Sequence, residues 1–214
     1  GDCYIRDGRE AEAIETLSKL VDQGRTQYLE RVLESLSSMC YKSERWELAA
    51  KSYRQLYDES SDAAIRKSAA SGYVASTLKV ANDDATVAMA DDIEKFELIT
   101  EIARRKARYA KSQVMLRRGD EQAAMAIFKT LSKEVKSAEG AEARFRIIEA
   151  EHKAKNYDKA EKMVYEFSDT NTPQNYWLAK AFILLGDIYF DKGDSFQARA
   201  TYQSIVDGYS PADD

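Results

Sequence analysis

A pattern of small and aromatic residues recurs along this chain at intervals of 36 to 38 residues. Its fullest copy, "LGDIYFDKGDSFQARATYQSIVDGYSP", presents Leu185, Gly186, Tyr189, Gly193-Asp194, Ala198, Tyr202, Ile205 and Pro211. One interval back stand Ile147, Ile148, Asn156, Ala160, Val164, Phe167 and Pro173, so the chain's only two prolines fall at the same place in two units. A further interval back come Ser112, Met115, Gly119-Asp120, Ala124, Phe128 and Leu131. Nearer the start are Leu36, Ser37, Cys40, Ala49, Tyr53 and Leu56. The segment between fits loosely, with Ala90 and Ile93 in the last two places and a poor turn. The opening segment supplies Gly8, Ala13, Leu17 and Leu20, the second half of a unit. The expected organisation is one array of units at 1–24 (partial), 30–60, 67–94, 105–136, 141–173 and 179–211. Repeats of this length cannot bury their apolar faces alone and are stabilised by stacking on their neighbours.

Each place in the pattern has a physical reading. A glycine inside a helix costs about 1 kcal/mol against alanine. Gly186 is therefore expected where two helices approach closely, with Ala198 opposite and Tyr189 and Tyr202 filling the remaining space. Ser37, Ser112 and Ile148 take the glycine's place in the earlier units. Gly119-Asp120 and Gly193-Asp194 read as tight turns between paired helices. Pro173 and Pro211 read as stops after the second helix.

The pattern resembles the tetratricopeptide repeat, a helix–turn–helix unit that stacks into a right-handed superhelix. The resemblance implies an all-α solenoid of eleven or twelve helices in antiparallel pairs. The interval exceeds the family's usual length of about 34 residues, which implies extended connections or helices. The tryptophan of the family's first helix is absent: Phe182 and Arg144 stand at that place, and Trp46 and Trp177 lie elsewhere. The stretches "GAEARF", "NTPQNYWLAKAFILLGDIYF" and "FQARATYQSIVDGY" further resemble the C-terminal part of large repeat proteins of Gram-negative bacterial envelopes. That likeness implies more units upstream and a periplasmic setting, with the cytoplasm as the alternative.

Signals for chemistry are few. With one histidine, His152, neither a histidine-based metal site nor a Ser/His/Asp triad can be assembled. "GDEQA" and "GDSFQA" are turns that open helices rather than phosphate loops. The pairs Asp83-Asp84 and Asp91-Asp92 lack the spacing of a calcium loop and read as solvated turns. Cys3 and Cys40, 37 residues apart, are expected as buried or incidental thiols rather than a disulfide. The net charge of −5 carries no general nucleic-acid signature, and no run of eighteen apolar residues is present to span a membrane. The basic run Arg104 to Arg118 holds seven Lys and Arg; it is either a patch for an anionic partner or, the favoured reading, a face laced with ion pairs. No enzyme activity, metal or cofactor is expected.

The resemblance implies that the first helices line a concave, ligand-facing surface. Carried over by position, the candidates are Arg31, Glu34, Ser38, Tyr41 and Lys42; Lys106, Tyr109, Gln113, Leu116 and Arg117; Glu142, Phe145, Glu149, His152 and Lys153; and Lys180, Ile183, Asp187, Phe190 and Asp191. Aromatic anchors among mixed charges suit a groove for a protein or peptide partner. Tyr109 and Phe145 are either such anchors or inter-repeat core, because a one-residue slip in register exchanges the faces. The expected function is a non-enzymatic interaction scaffold, with a structural spacer in a longer repeat protein as the alternative. No nucleic-acid partner and no membrane insertion are expected. Self-association is expected through uncovered ends, where Ala200 and Ile205 would need a partner.

Overall fold

A computed structural model of the chain describes residues 9–24 and 27–208. Gly8 and Pro211 of the pattern, and the thiol Cys3, lie outside the described residues. Eleven α-helices and no strand are found among the described residues. They are α1 (Glu10–Asp22), α2 (Leu29–Lys42), α3 (Trp46–Glu59), α4 (Ala63–Val80), α5 (Asp83–Ile93), α6 (Glu101–Arg117), α7 (Glu121–Leu131), α8 (Ala138–Lys153), α9 (Tyr157–Asp169), α10 (Asn175–Asp191) and α11 (Ser195–Gly208).

Local chemistry explains where the helices turn. Between the two helices of each pair one residue is left-handed: Glu44, Ala81, Gly119, Lys155 and Gly193, spaced 36 to 38 apart. Such a residue closes the preceding helix by turning the next N–H groups back onto its last carbonyls. Asp194 N–H donates to Tyr189 O at 2.9 Å, Asp120 N–H to Met115 O at 2.9 Å, and Asn156 N–H to Glu151 O at 2.9 Å. In three of the five turns the residue after then caps the next helix, whereas the Asn156 side chain turns back to Glu151 instead. Asp120 accepts from Ala123 N–H, Asp194 from Gln197 N–H, and Asn82 from Ala85 N–H, at 2.9 to 3.0 Å. Only two of the five left-handed positions are glycine, which is why the sequence shows the turn plainly in two units.

The extra length of the repeat goes to the connections between pairs and to long first helices. The connections span 60–62, 94–100, 132–137 and 170–174, while α4, α6, α8 and α10 each run 16 to 18 residues.

The chain divides into two compact units, Gly1–Val114 and Met115–Asp214. In the first, Ile14, Leu17, Leu36, Cys40 and Ala49 join α1, α2 and α3. A larger core runs from Leu33 and Leu56 through Ala69, Val74, Met89 and Ile93 to Ala103. The long 94–100 connection is held by Phe96, whose ring stacks on Tyr57 at 3.8 Å, and by Arg104, which donates to Ile93 O and Phe96 O. Cys40 is a buried free thiol, and burial pushes its pKa up to about 11, so it stays protonated and unreactive near neutral pH. In the second unit, Phe145, Ile148, Val164, Phe167, Leu185 and Ile188 pack α8, α9 and α10 together.

Gly186 answers to a close approach, as its cost in helix propensity requires. A Cβ there would lie 2.3 Å from Tyr202 Cε1 and 2.6 Å from Cζ. The Tyr202 hydroxyl donates to Asp187 at 2.6 Å; burial first, then that bond, raises its pKa to about 12. Tyr189 does not fill the same space. It reaches the preceding pair, donating to Glu161 of α9 at 3.0 Å and bonding the Tyr165 hydroxyl at 2.9 Å. Gly72 of α4 repeats the device, with the Tyr53 ring 2.7 Å from its would-be Cβ. Ser37 and Ser112 are fully buried and donate to Glu34 O and Tyr109 O one turn back, so each small polar residue is satisfied.

These contacts set the sign of a double-mutant cycle. Gly186→Ala alone should lower stability by about 1 kcal/mol, the displaced tyrosine outweighing the better helix former. In a Tyr202→Ala background the same change should turn stabilising by a few tenths to about 1 kcal/mol, because only propensity remains. Urea unfolding of the four proteins measures this; an unchanged cost in the second background would separate the glycine from the ring.

Candidate functional site

In the first unit, the first helices of successive pairs, α2, α4 and α6, enclose a cavity of about 450 Å³. The middle helix α4 supplies its floor with Val74, Ala75 and Leu78, and its side with Ser71 and Lys79. From α2 comes Tyr41, whose ring meets Trp46 edge-on at 5.0 Å. Ile102, Ala103 and Lys106 come from α6, with Thr100 just before it. Ile102 is 58% exposed, so an apolar side chain stands open at the mouth. Thr100 caps α6 by accepting from Ala103 N–H at 3.1 Å, and its hydroxyl lies 3.3 Å from that of Ser71.

Two sequence candidates, Tyr41 and Lys106, line this cavity. Arg31, Glu34, Tyr109, Gln113 and Arg117 share α2 and α6 but do not line it. Gln113 Nε2 is buried with no hydrogen-bond partner in the structure. The α4 residues were missed because Ala81 holds the left-handed turn without glycine. One signal does stand there: "NDD" at 82–84 occupies the helix-capping place 38 residues before Asp120.

In the second unit the candidates on α8 and α10 partly meet. His152 Nε2 lies 2.9 Å from Asp191, bridging the two helices. Lys180 Nζ stands over the rings of Phe145, Trp177 and Tyr176 at 5.0, 5.2 and 5.6 Å. Phe145 itself is only 4% exposed and belongs to the core between pairs. Glu142 is also buried and pairs with Arg146 at 3.2 Å; Glu149 takes the same arginine at 3.4 Å. Asp187 is taken by the Tyr202 hydroxyl. Ile183 and Phe190 remain exposed. A second concavity, about 420 Å³, lies between α10 and α11, lined by Leu178, Phe182 and Ile205. Beyond it on α11, Ala200, Phe196 and Val206 are exposed.

The acidic pairs and the basic run largely neutralise one another. Asp92 pairs with Arg54 and Asp91 with Lys111. Glu94 takes Arg108 at 2.6 Å and Arg104 at 3.5 Å; the Arg108 hydrogen bond, more than any other contact, holds its carboxyl below the usual range. Among the described residues no three His, Cys, Asp or Glu gather as a metal site, and no helix is long and apolar enough to cross a membrane.

Residues 176–210 match the tetratricopeptide repeat family. Two solved structures align with 97% of this chain. BtubC (BKLC) from P. vanneervenii is 14% identical, with 93% of that chain covered and a TM-score of 0.47. A tetratricopeptide repeat protein from Parabacteroides merdae ATCC 43184 is 15% identical, with 77% of that chain covered and a TM-score of 0.45. No curated protein matches the sequence. Tetratricopeptide repeats generally mediate protein–protein interaction. With helix pairs joined by left-handed turns and a matching unit at its end, the all-α chain carries a tetratricopeptide repeat at residues 176–210.

Proposed function

We propose that this chain is a non-enzymatic interaction module that holds a peptide or a partner helix against the first helices of its pairs. The observation that carries the reading is the open, largely apolar cavity between α2, α4 and α6. Its volume falls within the range of about 300–1,000 Å³ usual for ligand pockets. The exposed Ile102 at its mouth gives a partner side chain apolar area to bury.

The test is capture of a partner by the chain and by its Ile102→Asp variant, followed by titration with the purified partner. The side chain is exposed, so the fold should survive, and circular dichroism checks it. Affinity should fall at least about tenfold, the effect of a charge set into an apolar contact. Equal binding by both proteins would remove the cavity from the interface.

A second reading, a structural spacer, draws on the exposed Phe196 and Val206 of α11. They would be covered if a further helix pair, or a second copy, stacked there. The envelope compartment rests on the sequence resemblance alone and is tested by fractionating the cells that make the protein.

A further inference from the structure

Resting on the groove reading above, we infer that the cavity of the first unit selects a peptide whose large apolar side chain is flanked by aspartate or glutamate. The inference comes from the charge left over after the protein's own pairs are counted. Two charged side chains line the cavity, Lys79 and Lys106, and no carboxylate does. Both ammonium groups are on exposed residues. Neither forms an ion pair among the described residues. Lys79 Nζ lies 5.9 Å from the centre of the Trp46 ring, which orients it without neutralising it.

The contrast with the rest of α6 gives this weight. Arg104, Arg108 and Lys111 on the same helix are answered by Glu94 and Asp91. The whole chain carries −5, so acid is plentiful, yet none faces this cavity. An apolar floor between two unanswered cations is complementary to an apolar residue between anions. The floor supplies burial, and the lysines set sign and register.

The probes are four synthetic peptides, capped at both ends so that no terminal charge contributes and labelled for fluorescence anisotropy. Three share a Leu-Phe centre, flanked by Asp and Glu, by Ser and Gly, or by Lys. The fourth places acidic flanks around a Ser-Gly centre. The acid-flanked Leu-Phe peptide should bind the 214-residue chain saturably and at least about tenfold more tightly than the other three. Added salt should weaken it. The Lys79→Glu/Lys106→Glu protein should invert the order and prefer the lysine-flanked peptide, while Lys79→Met/Lys106→Met should flatten it. Inversion with unchanged helicity supports the assignment, because misfolding cannot create a new preference.

Equal binding of the Ser-flanked peptide, or an order untouched by charge reversal, would overturn the acidic class. So would equally tight binding of the acidic Ser-Gly peptide or of an oligothymidylate, which would mark a general anion surface. If an apolar peptide of any flank binds and is lost in Ile102→Asp, the groove reading survives that outcome. No peptide binding, together with a captured partner indifferent to Ile102→Asp, would remove both.

Discussion

Replacing Phe167 by alanine should lower the stability of the second unit by about 4 kcal/mol. The ring is fully buried on α9 and belongs to the core that also holds Phe145 and Ile148 of α8 and Leu184, Leu185 and Ile188 of α10. That core joins three consecutive helices. Loss of the ring removes its transfer free energy and leaves a cavity that the tied helices cannot fully collapse into. The connections before α8 and after α9 are tied to each other: Thr172 donates to Val135 O at 2.6 Å, and Gln174 to Lys136 O at 3.1 Å. Trp177 packs on the same core, so its fluorescence in a Trp46→Phe background reports this unit. The urea midpoint should fall by roughly 2 M, for a slope near 2 kcal/mol per M. A loss below about 1 kcal/mol would mean that α9 is not the shared wall between α8 and α10.

Gly140→Ala should cost about 3 kcal/mol, more than Gly186→Ala, although both glycines face a contact that a Cβ cannot make. The difference lies in what must move. At Gly186 the obstacle is a tyrosine ring that can swing aside. At Gly140 it is backbone: a Cβ would lie 2.1 Å from Glu134 O and 2.9 Å from Leu131 O. That backbone belongs to the last residue of α7 and to the connection that follows it, which is held in place. Ser137 caps α8 by accepting from Gly140 N–H at 3.1 Å, and its own N–H donates to Glu134 O at 2.9 Å. Lys136 reaches across to Thr170 O at 2.7 Å and also bonds Asn171 O. Displacing the connection breaks several of these bonds at once. The same Trp177 measurement ranks the two glycine variants, and a Gly186→Ala loss equal to or larger than that of Gly140→Ala would reverse the argument.

Gly140 opens the stretch "GAEARF", and nothing in the repeat pattern marks it as a contact. The reason is that its neighbour is a turn backbone, which leaves no residue-type signature. Phe145 shows the same limit from the other side. Helical position put it on the ligand-facing surface or in the core, and the arrival of Trp177 and Lys180 from α10 buries it. The α4 side of the cavity was hidden because Ala81 takes a left-handed conformation that glycine advertises and alanine does not.

What the amino-acid sequence determined by itself is the repeat: its interval, its all-α character and the places of its two glycine turns. These rest on local chemistry, a left-handed residue followed by a capping one, and on side-chain size at spacings that one helix can read. Tertiary structure alone decided which face of each helix stays open. It divided the candidates into core, as with Phe145 and Glu142, internal partners, as with Asp187, and the cavity wall, as with Tyr41 and Lys106. Exposure on a helix in an array is set by the neighbouring pair that packs against it, and that contact joins residues a full repeat apart in the chain.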